Sequence, residues 1–281
     1  MYVTLTEVLG EAEKIGSTVG AFNAHNLEMI PAMISAARDA GSPIIIQTSV
    51  GTARYIGMEN LVALCRGIGE REPVDVVLHL DHATSLDDIR DAIDAGYSSV
   101  MFDGSSFPYS ENVLKTRRVV EFAHGRGVSV EGEIGTIGGT EEGVSVKEGA
   151  LTKPEEARDF HDATGVDALA VSIGTHHGSY LGKTEIDLDL IARIHTAVDV
   201  PLVVHGGTGV DEADYAQLRD SGVRKFNIGT ELIVGWTRTA KETFGSTELN
   251  ASLRKNIVPA NTAVAEIVAR KISRMLPTVV G

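Results

Sequence analysis

The chain has 281 residues, 43% hydrophobic and 23% charged, an ordinary globular composition that argues against a disordered or fibrous protein. Acidic residues outnumber basic ones 39 to 25, for a formal charge of −14. That balance argues against a nucleic-acid partner, which needs a basic footprint, but not against a small anionic substrate in a locally positive site. The single cysteine, Cys65, rules out an intrachain disulfide and reads as a small buried hydrophobe in the helix-like LVALCRGI.

Short apolar runs alternate with helix-like segments along the chain. The runs are VGAFN (19–23), PIIIQTS (43–49), VDVVLHLDHA (74–83) and SSVMFDG (98–104), then VSVEGEIG (128–135), ALAVSIG (168–174), PLVVHGG (201–207) and RKFNIGT (224–230). Val, Ile, Leu and Ala recur through them, as in parallel strands buried on both faces. Between them, Asn26-Leu27-Glu28 opens a helix that Gly41-Ser42-Pro43 stops. Ser85 and Asp88 have capping-box spacing, Gly96 ends that helix, and Pro154 sits in another first turn. Eight strand–helix units predict a single domain over 1–281, a (β/α)8 TIM barrel with extra C-terminal helices at 245–281. A Gly- and Glu-rich insert, 136–151, follows the fifth strand and reads as a lid or binding loop, with Gly138-Gly139 as its hinge.

In such a barrel the active site lies at the C-terminal ends of the strands, and polar residues gather at these exits. They are Asn23, Asp81-His82, Asp103-Gly104-Ser105, Glu131 and Glu133, Gly174 to Gly178, His205 to Gly209, and Asn227 to Thr230. His82, His176, His177 and His205 converge on one rim if the barrel closes, and three neutral imidazoles with an open position make a catalytic zinc site. Alternation would send Asp81 and His82 to opposite faces, so both serve the site only if the backbone turns there. His79, deeper in its strand, reads as structural. HGGTG and NIGT each precede a helix, where glycines and backbone N–H groups can cradle a phosphate. Glu141 and Glu142 read equally well as a solvated acidic loop.

Taken together, FNAHNLEMI, HLDHA, EGEIGTIGGTEEG, IGTHHG, HGGTG and NIGTEL resemble the class II fructose-bisphosphate and tagatose-bisphosphate aldolases, over most of the chain. The resemblance implies reversible, zinc-dependent cleavage of fructose 1,6-bisphosphate or tagatose 1,6-bisphosphate to dihydroxyacetone phosphate and glyceraldehyde 3-phosphate. It implies zinc on His82, His177 and His205, with His176 at a variable position. Asp81 would handle the proton on the aldehyde-side hydroxyl, and Glu141 the proton on the dihydroxyacetone phosphate carbon. Asn23, Gly178, Gly206, Gly207, Thr208, Asn227, Ile228, Gly229 and Thr230 would surround the substrate. Asn23, Glu131 and Glu133 would support the metal site. A monovalent cation, Na+ or K+, near the phosphate and a homodimer or homotetramer are also implied. Many fructose-bisphosphate members carry Asp where this chain has Gly229, and NIGTEL looks closer to the tagatose-bisphosphate branch.

Other readings are a lysine Schiff-base lyase, for which the strand runs offer only Lys225, a zinc phosphohydrolase, a zinc aldolase for another phosphorylated ketose, and a non-catalytic barrel subunit. No run reaches the roughly 18 apolar residues of a membrane span, and MYVTLTEVLGEAEKIG lacks a signal-peptide core. A cytoplasmic protein acting on a small phosphorylated sugar is expected, with no membrane partner.

Overall fold

A computed structural model describes residues 1–141, 144–146, 150–177, 186–249 and 251–277. In chain order the strands are β1 (Val19–Asn23), β2 (Ile44–Ser49), β3 (Val76–Ala83), β4 (Ser99–Phe102), β5 (Ser129–Ile134), β6 (Gly138–Glu141), β7 (Val144–Val146), β8 (Ala168–Val171), β9 (His176–His177), β10 (Leu202–Val204) and β11 (Val223–Ile228). The helices of the first half are α1 (Leu5–Ile15), α2 (Met29–Asp39), α3 (Val50–Ile56), α4 (Met58–Gly69), α5 (Leu86–Ala95) and α6 (Tyr109–His124). Those of the second half are α7 (Pro154–Thr164), α8 (Leu188–Ala197), α9 (Asp214–Asp220), α10 (Thr230–Ser246) and α11 (Arg254–Met275).

The eight strands expected from the apolar runs close into one barrel, in the order β1-β11-β10-β8-β5-β4-β3-β2. All their pairings are parallel, and β1 closes the ring by pairing Ala21 with Ile45 on one side and Asn227 on the other. Alternate residues serve two cores. Outward side chains such as Phe22, Ile44, Ile46, Leu78, Val100 and Phe226 pack beneath the helices. Inward ones, among them Ala21, Ile45, Val77, Met101 and Val203, fill the barrel. Strands buried on both faces explain why the sequence shows continuous apolar runs rather than alternation.

The N-terminal end of the barrel is plugged by α1. Thr4 and Glu7 form a capping box at its start, and Gly16, at φ 63°, ends it in the left-handed conformation. Leu5, Val8, Leu9 and Ala12 enter the inner core, leaving the opposite mouth for chemistry. Truncating Leu5 or Leu9, both fully buried, would cost about 2–5 kcal/mol.

Two local expectations change. Ser85 does cap α5, accepting from the Asp87 N–H at 3.2 Å, but Asp88 does not complete a capping box; its carboxylate pairs with Arg54 on α3 instead. The described part of the Gly-rich insert also forms strands rather than a plain loop. β6 and β7 form an antiparallel hairpin, and β6 adds a parallel pairing to β9, Gly138 opposite His176 and Gly139 opposite His177. The paired glycines therefore lie within a strand. Of the helices expected over 245–281 the structure places α11 there; it packs on α10, the helix that follows β11, and also on α2, α9 and β1.

Candidate active site

The end of β3 contains the backbone turn that Asp81 and His82 require. His82 has φ 48°, the only positive φ at a non-glycine position among the described residues. The β3–β4 register slips between Leu80 and Ala83. A non-glycine residue held there costs on the order of 1–3 kcal/mol, a strain that clusters at functional sites. The turn breaks strict alternation and lets two consecutive side chains serve one mouth.

His82 from β3, Glu133 from β5 and His205 at the exit of β10 offer three ligand atoms within 4.8 Å of one another. The two imidazoles meet edge to face, centroids 4.7 Å apart. Each is fixed from behind by a carboxylate. Asp103 Oδ2 lies 2.8 Å from His82 Nδ1, while the other oxygen, Oδ1, accepts from the Ser105 N–H and hydroxyl. Glu131 Oε1 lies 3.0 Å from His205 Nε2, which turns Nδ1 toward Glu133 Oε2 at 3.5 Å. Carboxylate–imidazole pairs of this kind orient metal-binding histidines and raise their basicity.

The charges around the group oppose each other. Burial acts to raise the Asp103 carboxyl, but the hydrogen bond and charge of His82, with the Ser105 donors, hold it below the usual range. Burial, then the charge of Asp103, pushes Glu133 well above it. A buried carboxyl strained in this way between imidazoles fits a divalent cation, since two nitrogens and one oxygen are a common catalytic zinc donor set.

Beneath this layer lies a second one. Lys225, fully buried inside the barrel, reaches Glu131 Oε2 at 2.8 Å and donates to Asn227 Oδ1 at 2.7 Å. The Asn227 amide then donates to Asp81 Oδ1 at 3.3 Å. Asp81 Oδ2 accepts from the amides of Asn23 at 2.9 Å and Gln47 at 3.1 Å, while Gln47 also donates to Asn23 at 2.8 Å. Lys225 so links the carboxylate behind His205 to the amide that holds Asp81. With its amino group committed to those two partners, it offers no open nucleophile for Schiff-base chemistry. His79 is structural as expected: its Nδ1 meets the Ser99 hydroxyl at 2.7 Å, and burial, then Lys225, hold its pKa well below the ordinary value.

The exits of β10 and β11 lie side by side. Gly206 has φ 77°, and a Cβ there would collide with the His176 carbonyl; one at Gly207 would stand 2.7 Å from the Asn227 carbonyl. Gly207–Gly209 form a single 3-10 turn. Thr208 Oγ1 accepts the Glu231 N–H at 3.2 Å. Asn227 and Ile228 end β11, Gly229 caps α10, and Thr230 begins it. His177 occupies β9 through its backbone, but its side chain is outside the described residues, as are the side chain of Glu141 at the end of β6 and all of Glu142 and Gly178. Gln47 and Lys225 escaped the sequence reading as contributors to this site, and Asp103 and Glu133, seen there at strand exits, were not given the roles of orienting His82 and facing the metal. Gln47 and Lys225 carried a signal, being polar residues within apolar runs.

A family model described as fructose-bisphosphate aldolase class-II matches residues 3–277. The chain belongs to the class II fructose-bisphosphate aldolase family. It is an aldehyde-lyase by that membership. Among solved structures it is similar to the YdjI aldolase of Escherichia coli, at 30% identity and a TM-score of 0.87, covering 98% of this chain and 97% of that one. A putative fructose-1,6-biphosphate aldolase from Coccidioides immitis is equally similar, at 30% identity and a TM-score of 0.87, covering 96% and 95%. The fructose-bisphosphate aldolase of Campylobacter jejuni shares the fold at 20% identity and a TM-score of 0.81, covering 96% and 93%. Among the described residues no helix is long and apolar enough to cross a membrane.

Proposed function

We propose that this class II aldolase binds zinc through His82, His177 and His205 and reversibly cleaves a ketose 1,6-bisphosphate, fructose or tagatose, to dihydroxyacetone phosphate and glyceraldehyde 3-phosphate. The observation that carries the reading is the His82–Glu133–His205 group at the barrel mouth, with Asp81 next to His82 in the chain. Bound zinc supplies Lewis acidity toward the substrate ketone.

The protein's own groups do the rest. Asp81, one residue from His82 and gripped by three amide donors, takes the proton from the aldehyde-side hydroxyl in cleavage and returns it in condensation. Glu141, on the hairpin that pairs with β9, exchanges the proton on the dihydroxyacetone phosphate carbon. Gly178, Gly206 to Thr208 and Asn227 to Thr230 hold the phosphoryl end, where backbone N–H groups at the start of α10 favour an anion. Na+ or K+ sits near that phosphate, and the enzyme works in the cytoplasm as a homodimer or homotetramer.

At position 229 an added Cβ would stand 3.1 Å from Asn23 Oδ1, tighter than ordinary contact. Gly229 so leaves Asn23 its place against Asp81, and the preference for the tagatose-bisphosphate branch rests on the likeness of the NIGTEL motif that carries this glycine. Release of dihydroxyacetone phosphate from the two ketose bisphosphates, assayed in parallel, tests the reading. Faster turnover of the tagatose substrate supports that branch, and no release from either rejects the substrate class.

A further inference from the structure

Lys271 is a lysine on α11 that is only 3% exposed. A buried ammonium is costly unless it is paired and hydrogen-bonded, and this one has two specific partners. Its Nζ donates to the Tyr215 hydroxyl at 2.8 Å, 4.8 Å from that ring's centre, and pairs with Glu231 Oε2 at 3.1 Å. Each partner leads to one of the two exit loops. The Tyr215 hydroxyl donates to the Gly207 carbonyl at 2.9 Å. Glu231, in the first turn of α10, donates its N–H to Thr208 Oγ1.

Glu231 poses a second question. An acidic residue in the first turn normally stabilises a helix. Here the same helix start stands where a substrate phosphate would sit, and a carboxylate there repels it. Lys271 and Arg270, both from α11, pair with that carboxylate.

We propose that Lys271 is a positioning residue for the phosphoryl end of the substrate. It fixes Gly207 through Tyr215, and it holds the Glu231 carboxylate on α11 while the Glu231 amide supports Thr208. The inference rests on the phosphate reading of the β10 and β11 exits. It gives the C-terminal helix a task in substrate binding, carried out within one chain.

The test is calorimetric titration of the zinc-loaded enzyme with glycerol 3-phosphate, a phosphorylated probe that is not cleaved. Lys271→Met is expected to weaken binding on the order of tenfold, the effect of losing one charge-assisted contact, with zinc content and far-UV circular dichroism unchanged. Lys271→Gln, a milder change at the same atoms, is run beside it and should weaken binding in the same direction. On a Glu231→Gln background the Lys271→Met change is expected to cost less than it does in the parent, because the charge it offsets is gone and only the link through Tyr215 remains. An equal loss on both backgrounds would mean that Lys271 does not act through the Glu231 carboxylate, and would overturn the proposal. So would no loss at all. Thr208→Val separates the two levels. If it weakens binding and Lys271→Met does not, the lysine inference alone fails; if neither does, the phosphate reading falls with it.

Discussion

His205 and Glu131 share a hydrogen bond of 3.0 Å, and it decides which ring nitrogen faces the metal group. With Nε2 turned to the carboxylate, Nδ1 is the atom that faces Glu133. Glu131→Gln removes the charged acceptor and allows the opposite tautomer. Zinc affinity is expected to fall about 10- to 100-fold, the usual effect of losing such a partner. Competition with a chromophoric chelator measures it, and parental affinity in a folded variant would refute the orienting role.

Asp81 is expected to matter for turnover rather than for assembly. Asp81→Ala should lower kcat by a factor on the order of 10² or more, the scale of general acid–base catalysis. Zinc content should stay stoichiometric, because Asp81 is not in the metal group. Near-normal turnover would remove it from the reaction.

The left-handed backbone at His82 makes a prediction about stability alone. At φ 48° alanine is strained and glycine is not. In the metal-free protein, His82→Gly should be about 1 kcal/mol more stable than His82→Ala, although both lose the ligand. Urea unfolding of the pair measures the difference. Equal stability would show that the turn relaxes when the imidazole is gone.

His79 supplies a pH dependence. Burial and Lys225 keep its folded pKa well below 6.5. As pH drops below about 6.5 the unfolded chain takes up a proton there and the folded chain does not. Stability contributed by neutral His79 is therefore present above that pH and lost as pH falls toward the depressed folded value. The slope from one such site is at most about 1.4 kcal/mol per pH unit. The metal-free His79→Gln variant should lose stability less steeply than its parent between pH 6.5 and 5. Parallel curves would show that His79 takes up protons alike in both states.

The barrel was readable in the sequence because strands buried on both faces leave continuous apolar runs, and Asp81, His82 and His205 announced themselves by standing at the ends of those runs. The β6–β7 hairpin was not readable. GGTE has no apolar residue to set a period and VSV is only three residues long; β7 pairs with β6, and β6 with β9, a contact between residues far apart in the chain. The left-handed φ of His82 left no residue-level mark, since such turns usually select glycine. Glu133 looked like a supporting residue because period-two alternation puts Glu131 and Glu133 on the same face and does not say which joins His82 and His205 in the metal group and which stands behind His205 against Lys225. Lys271 lay in a tail whose helical pattern said nothing of where the helix would dock.

The most direct test of the central claim is metal dependence measured together with metal content. The purified enzyme, its chelator-treated form and the treated form resupplied with zinc would be compared for dihydroxyacetone phosphate release from the better ketose bisphosphate. Release should vanish as the zinc leaves and return as about one zinc per chain is restored, and the His205→Ala enzyme should neither hold zinc nor recover. Full activity in protein shown to be free of metal would contradict the account.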